Sequence, residues 1–559
     1  MDVAVDRKPW VTRYPPGVPA EMPALEFQSI PQMLEASVAR YGDKPAFESF
    51  GVRITFDELD RLSRDFAAYL QGTLGLQKGE RVAVMMPNIL QYPVAVFGIL
   101  RAGLTVVSVN PLYTARELEH QLKDSGASAI VLFESAASTL QEVLARTPVR
   151  HVIVAAIGDM LGALKGGLIN FVFRRVKKMV KPWDLPSAAR FPQALATGAG
   201  HSLRPPALAA GDLAFLQYTG GTTGVSKGAM LYHCHVLANV QQIKTYFGTH
   251  LRDGEEVAIA PLPFYHILAL VLNCVMCVRI GALQVLIANP RDIPALVKTL
   301  GNSGFTFFVG VNTLFNALVH DPAFARLDFS RVRICGGGGA PVQLAVAKRW
   351  KEITGCVLSE GYGLTETSGA VSINPPDIVE HTGTTGLPVP GTEVEIRDES
   401  ERALAIGSVG QVFVRGPQVM AGYWQRSDET AKVLRSDGWL ATGDLGLITP
   451  EGRLKIVDRV KDMILVSGFN VYPNEIEDVA ATHPGVLEAC AIGVPDEQSG
   501  EAVKLFVVRK DPALTAEAVI AHCRADLTGY KIPRHVEFRE VLPKSPVGKI
   551  LRRELRATT

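Results

Sequence analysis

Between Tyr218 and Met230 the chain reads YTGGTTGVSKGAM, a run whose residue types suit an anion. Glycines at 220, 221, 224 and 228 let the backbone take positive φ and turn its N–H groups inward, a cradle that needs no side-chain charge. Thr219, Thr222, Thr223 and Ser226 add hydroxyls, and Lys227 adds a cation. The run is not a P-loop, in which lysine follows glycine and precedes Ser or Thr; here Lys227 follows Ser226 and precedes Gly228. Its make-up suits a polyphosphate, with a plain tight turn as the structural alternative.

Two further stretches carry matching chemistry. SEGYGLTET, Ser359 to Thr367, follows ICGGGGAPV: a glycine-rich strand end admits a flat ring, Tyr362 offers a face to stack on it, and Glu366 offers a hard oxygen for Mg²⁺ or a helix-start carboxylate. In GWLATGDLG, Asp444 follows Gly443, where a carboxylate accepts hydrogen bonds from a vicinal diol such as ribose, or simply forms a turn. The tail PKSPVGKILRRELR places Lys549 in a Gly-flanked loop before a basic helix.

The elements that position these groups fill a chain of 559 residues, 47% hydrophobic and 20% charged, enough for more than one core. A net charge of +1 supplies no global field toward nucleic acid. Seven scattered cysteines and an opening MDVAVDRKPWVTRYPP without an apolar core predict a reduced, cytoplasmic home. Cys274 and Cys277 form a C-x-x-C with no second pair to complete a zinc site, which reads as core packing. The charge-free run from Glu256 to Arg279 is interrupted by Pro261 and Pro263; as a helix the remainder falls short of the roughly 30 Å hydrocarbon layer. A strand, a turn and a buried helix are expected there.

From Arg81 onward β-rich runs alternate with helical patterns, the grammar of parallel strands and crossover helices, and Thr114 with Glu117 stands at capping-box spacing. The alternation resumes after Gly211. After about Thr382 it gives way to Gly- and Pro-punctuated strands without intervening helices, and the last hundred or so residues return to mixed α and β. The expected fold is α/β: a large N-terminal domain (1–458) of two α/β subdomains plus a β-rich subdomain (about 382–456), and a small mobile α+β C-terminal domain (459–559) hinged near 458–461.

Residues 165–181, KGGLINFVFRRVKKMVK, carry six basic and no acidic side chains. On one helix Leu168, Ile169, Val172, Val176, Met179 and Val180 share a face opposite Arg174, Lys177, Lys178 and Lys181, a pattern that fits an anionic membrane surface or an ordinary surface helix.

Taken together, the Thr/Gly-rich loop, GYGLTE, TGD, the DRVKD junction and the Gly-Lys tail resemble, in fixed order and over essentially the whole chain, the adenylate-forming superfamily of acyl-CoA synthetases, adenylation domains and luciferases. RYPPGVPAE, NPRDIPALVK, GVNTLFNAL, GFNVYPNEIEDV and VGKILRREL are similar to the bacterial long-chain fatty-acid–CoA ligases, which prime fatty acids for β-oxidation.

The resemblance implies ATP, Mg²⁺ and coenzyme A as cofactors and co-substrate, a fatty acid as substrate, and acyl adenylate as intermediate. Thr219, Gly220, Gly221, Thr222, Thr223, Gly224, Ser226 and Lys227 would hold the β- and γ-phosphates, with Thr222 or Thr223 and Glu366 around Mg²⁺. Adenine would lie between Gly337, Gly338 and Gly339 and the ring of Tyr362, with Ala340, Gly363, Thr365 and Gly468 completing the set. Asp444 and Arg459 would bind ribose, Lys549 would reach the carboxylate and α-phosphate, His266 would border the acyl carboxylate, and Lys461 would be the swivel. Some long-chain relatives carry a tryptophan gate four residues after the histidine, where this chain has Leu270. Alternatives are an acyl-AMP ligase that loads a carrier protein, a ligase for medium-chain or aryl acids, and a non-catalytic acyl-nucleotide sensor. Nucleic acid is not an expected partner; peripheral docking to the anionic inner membrane through 165–181 and homodimerisation are both left open.

Overall fold

The computed structural model describes residues 8–219, 226–545 and 548–558. Gly220, Gly221, Thr222, Thr223 and Gly224 of the phosphate loop lie outside the described residues.

Continuous apolar runs such as Ala129–Phe133, buried at every position, become inner strands of parallel sheets covered on both faces. The first sheet has seven strands in the order Ala189–Arg190, His151–Ala155, Ala129–Phe133, Arg81–Met85, Thr105–Ser108, Leu213–Thr219, Lys227–Tyr232. All neighbours are parallel except the last pair, an antiparallel hairpin. The predicted capping box is present: Thr114 caps helix Ala115–Ser125 through the Glu117 N–H, and Glu117 answers on the Thr114 N–H.

The second sheet has nine strands. Its parallel centre runs Leu358–Leu364, Ile334–Gly337, Phe307–Gly310, Val257–Ala260, Leu283–Leu286. The early hairpin Pro45–Ser49 and Val52–Thr55 adds to the far edge beside Leu283–Leu286, a pairing across more than two hundred residues. Helix Gln91–Arg101 is buried along its whole length. Asn88, just before it, donates from Nδ2 to the carbonyls of Ala260 (2.9 Å) and Leu262 (2.8 Å), and Gln91 donates to that of Ala156 (2.8 Å). These bonds tie together the carboxyl ends of strands from both sheets, where a ligand crevice opens in such folds.

An antiparallel four-stranded sheet follows: Glu393–Arg397, Gly410–Arg415, Leu440–Ile448, Leu454–Arg459. The expectation that this part lacks helices is corrected by helix Ser427–Val433, whose first turn carries Asp428 and Glu429, the charge sign a helix start favours. The charge-free run folds as strand Val257–Ala260 and a buried helical stretch, Ile267–Ala269, a π-helical Leu270–Met276 and Cys277–Arg279, with Cys274 and Cys277 inside the core. Among the described residues no helix is long and apolar enough to cross a membrane.

The small domain wraps Val486–Asp496, Gly500–Arg509 and His535–Arg539 around its own apolar cluster. It seats on helix Asn312–Val319 of the large domain. There Thr313 donates to the Gly548 carbonyl (3.2 Å) and Asn316 to that of Leu487 (3.4 Å). GVNTLFNAL therefore presents polar residues to the small domain while Leu314, Phe315 and Leu318 enter the core.

The single amphipathic helix expected over 165–181 is also corrected. The α-helix is Ala163–Phe171; it widens into a π turn at Val172–Val176, closed by Lys177 N–H on the Val172 carbonyl (2.8 Å), and Lys178 takes a left-handed φ of +50°. The widened turn rotates the later residues off the assumed face. Phe173 packs edge-on against Phe133 and Arg174 pairs with buried Glu134 at 2.7 Å, whereas Leu164, 93% exposed, Leu168 and Phe171 face outward.

Candidate active site

Two strand ends from the second sheet supply the floor of the cleft. Strand Leu358–Leu364 runs beside Ile334–Gly337, so Tyr362 and the glycine run Gly337, Gly338, Gly339 come together as the sequence predicts. Side chains are excluded here: a Cβ on Gly363 would lie 1.5 Å from the Gly369 carbonyl oxygen. Gly339 has φ +79°, and a Cβ there would meet Cε of Lys549 at 3.2 Å. Beneath the loop that carries half-buried Ala340, Glu360 accepts the Val342 N–H (2.8 Å); burial pushes its carboxyl up to about 7. Sequence reading passed over Glu360, although it stands in the same SEGYG stretch.

At the ribose end the order of the β-rich sheet does the positioning. Asp444 and Arg459 are direct cross-strand partners, and Arg459 Nε lies 3.3 Å from Asp444 Oδ1. Tyr362 donates its hydroxyl to Asp444 Oδ2 at 2.6 Å. Burial raises the Asp444 carboxyl, and Arg459 then Tyr362 pull it back down. Burial, and then Asp444, raise Tyr362 well above its ordinary value, so it is a donor and not a phenolate.

Lys549 enters this end from the small domain. It closes a hairpin in which Ser545 N–H donates to its carbonyl (2.7 Å) and its own N–H donates to Ser545 Oγ (3.1 Å). Its side chain is exposed by area, yet it lies close over Gly339 of the large domain, where an added Cβ would come within 3.7 Å of Nζ. Desolvation, then the charge of Arg459, lower its pKa to about 8, with Asp444 opposing. His266, just before the buried helix, is lowered to about 3 by burial and then by Lys549, and is a neutral imidazole at physiological pH. Its carbonyl accepts the N–H of Leu270, a fully buried residue one turn on.

The phosphate end is built differently. Thr219 and Lys227 are cross-strand partners at the loop end of the hairpin, and Ser226 Oγ donates to the Thr219 carbonyl (2.6 Å). Lys227 pairs with Glu429 at 2.5 Å and lies 4.8 Å over the ring of Tyr423. The Tyr423 hydroxyl donates to Glu366 Oε1 at 2.6 Å, and the Met420 N–H donates to the Glu366 carbonyl (2.8 Å). Glu366 is thus the middle of a single 3₁₀ turn, Thr365–Thr367, and not the start of a helix. Tyr423 and Glu429 were not foreseen; the only signal was the aromatic pair in AGYWQR between two predicted strands.

Two expected residues stand apart from the cleft cluster. Lys461 is exposed in the turn after Arg459, its pKa lowered by desolvation and then by Arg459. Gly468, φ +82°, makes the exposed turn between strands Ile464–Val466 and Phe469–Val471. The groups present fit a nucleotide: a buried carboxylate to accept from a diol and an arginine beside it, a side-chain-free floor for a ring, and cations at both ends. The hard oxygens of Glu366, with one of them oriented by Tyr423, fit a magnesium ion.

A fold of two parallel-centred sheets with a small lysine-bearing domain over the cleft defines a class, and the chain belongs to it. Residues 34–424 match the AMP-binding enzyme family and residues 475–549 its C-terminal domain. Among curated proteins it is 56% identical, over 98% of both chains, to the long-chain-fatty-acid–CoA ligase of Escherichia coli O157:H7. Among solved structures it is similar to a benzoate CoA ligase from Burkholderia xenovorans LB400 (26% identity, TM-score 0.82, covering 95% of this chain and 100% of that one). It is likewise similar to ATP-bound MatB from Rhodopseudomonas palustris (28%, TM-score 0.81, 94% and 98%).

Proposed function

We propose that the chain is an ATP-dependent long-chain fatty acid–CoA ligase that forms acyl adenylate and then acyl-CoA, feeding β-oxidation. One observation carries the reading: Lys549, brought by the small domain against Gly339, joins Tyr362, Asp444 and Arg459 in one cleft. The 56% identity to a named ligase across the whole chain supports the substrate class.

A carboxylate is a poor acyl donor because its leaving group is oxide. Attack of a carboxylate oxygen on the α-phosphorus of ATP expels pyrophosphate and gives an acyl adenylate; the coenzyme A sulfur then attacks the carbonyl carbon and AMP leaves. Lys549 stabilises the charge that develops on the phosphate, in a position fixed before reaction. Lys227, Thr219 and Ser226 hold the terminal phosphates, Asp444 and Arg459 the ribose, and neutral His266 borders the acid without adding charge. Magnesium, held by Glu366 and a threonine at 222 or 223, would add neutralising charge on the phosphates.

The second step needs the lysine to vacate space for pantetheine, so residues 459–559 turn about a hinge near 458–461, with Lys461 as swivel. Gly468, outside the present cluster, then reaches the cleft. Purified protein with oleate, ATP and magnesium should release pyrophosphate, and adding coenzyme A should give oleoyl-CoA and AMP. No pyrophosphate with any fatty acid of graded length overturns the reading; adenylate without coenzyme A transfer favours carrier-protein loading.

The enzyme works in the cytoplasm and docks peripherally on the anionic inner membrane. The support is the outward Leu164, Leu168 and Phe171 beside Lys165, Arg175 and Lys177, because an apolar face rimmed by cations suits such a surface. Co-sedimentation with phosphatidylglycerol vesicles but not phosphatidylcholine ones, lost in Leu164→Glu/Leu168→Glu, is the expected result.

A further inference from the structure

The small domain is tied down by a polar cluster that straddles the segment where it leaves the large domain. Asp458, on the last strand of the β-rich sheet and 2% exposed, accepts the backbone N–H of Asn474 at Oδ2 (3.0 Å). Asn474 Nδ2 donates to the Val457 carbonyl on the same strand (3.0 Å). Asn474 itself belongs to helix Pro473–Ala481 of the small domain. Arg552, three residues past Lys549, donates from Nη2 to Asn474 Oδ1 (2.7 Å) and to both oxygens of Glu477 (2.8 and 2.9 Å). Its Nη1 lies 3.9 Å from Asp458 Oδ1 and 3.7 Å from Asp462 Oδ2.

We propose that Asp458, Asn474 and Arg552 form a posture latch, a contact set across the hinge that holds the small domain docked with Lys549 in the cleft and that opens when the domain turns. The proposal rests on the two-step ligase reading. The bonds divide into two kinds. Those of Arg552 to Glu477 and Asn474, and those closing the Lys549 hairpin, lie within the small domain and travel with it. Those of Asn474 to Asp458 and Val457, and the approach of Arg552 to Asp458, cross the hinge and are lost on rotation.

Rotation would take from Asp458 and Val457 the Asn474 hydrogen bonds and the approach of Arg552, so these crossing contacts favour the docked posture. The position of Arg552 adds a mechanical link. It shares the tail with Lys549, so the guanidinium that reads the hinge strand is three residues from the side chain that reads the phosphates.

The latch is tested with Asp458→Asn, which keeps shape and drops charge, and Asn474→Ala, which drops the crossing side-chain bond. Each should lower acyl-adenylate formation, measured as ATP–pyrophosphate exchange with oleate, by about tenfold. Thioester synthesis from supplied oleoyl adenylate and coenzyme A should hold or rise, and Arg552→Lys should fall between wild type and Asn474→Ala. A pair of fluorescent labels, one per domain, should report a shift away from the docked distance in the absence of ligand. The latch is overturned if both half-reactions fall together, or if neither changes and the label distance stays fixed. If Asp458→Asn does not fold, Asn474→Ala and the label distance still decide. Failure of the ligase reading is separate, because it shows as wild-type protein that makes no acyl adenylate.

Discussion

The two ends of the cleft each present a lysine, and the two are treated in opposite ways. Lys227, on a sheet hairpin of the large domain, has an acid partner in Glu429 and an aromatic ring beneath it, and its carboxylate partner is held down to about 2 by Lys227 and Lys432. Lys549, on a loop of the small domain, faces Arg459, and desolvation followed by that like charge lowers it to about 8. One lysine is set in place by contacts that exist before substrate arrives. The other sits where burial and Arg459 outweigh Asp444 and disfavour its charge, a balance that an incoming phosphate would offset. The contrast separates a holding group from one whose charge is most useful only when the reacting phosphate is present.

Removing the second lysine should break the comparison most severely. Lys549→Ala should lower acyl-adenylate formation by about a hundred- to a thousandfold, the range for losing a pre-placed charge-stabilising donor. Thioester synthesis from supplied acyl adenylate should be spared, and equal loss in both half-reactions would end the two-posture account. The pH dependence sharpens the same point. Lys549 is lowered, so its ammonium is present below about 8 and lost above it. The kcat/KM of adenylate formation should therefore fall as pH rises through about 8. Lys549→Arg, which stays protonated, should flatten that limb in whatever activity remains.

The two ends also differ in how far they could be read from sequence. The meeting of residues around Asp444 was legible because its parts are local signals, namely Asp444 after a turn glycine, Tyr362 in a glycine-rich strand and a Gly-Lys tail, and one cross-strand pairing of Asp444 with Arg459 joins them. The phosphate end was half legible. The glycine and hydroxyl pattern announced the hairpin, but its cover, Tyr423 and Glu429, comes from some two hundred residues away, and no local periodicity encodes that meeting. The same limit hid the edge pairing of Pro45–Ser49 with Leu283–Leu286. It also hid the π turn at Val172–Val176, because a count of helical faces assumes one period throughout.

Tyr423→Phe probes that hidden cover with a smaller effect. It keeps the ring under Lys227 and removes only the hydroxyl that orients Glu366, so the ATP kcat/KM should fall about tenfold, as for losing a hydrogen bond to a charged group. Raising magnesium should restore part of it, whereas a purely structural tyrosine would give a loss independent of magnesium. Thermal melting near wild type would keep the two explanations apart.

Glu429→Gln should do least. The carboxylate is half-buried and shared between Lys227 and Lys432, and water and salt still reach and screen the pairs, so adenylate formation should change no more than about threefold, with the difference fading as salt is raised. The direction is informative even at that size. Freed from Glu429, Lys227 keeps the Tyr423 ring and its place on the hairpin, so the KM for ATP should stay level or fall. If Glu429→Gln instead matched the damage of Lys549→Ala, Lys227 would depend on its acid partner as much as Lys549 depends on phosphate. The distinction between a holding lysine and a reacting one would then be lost.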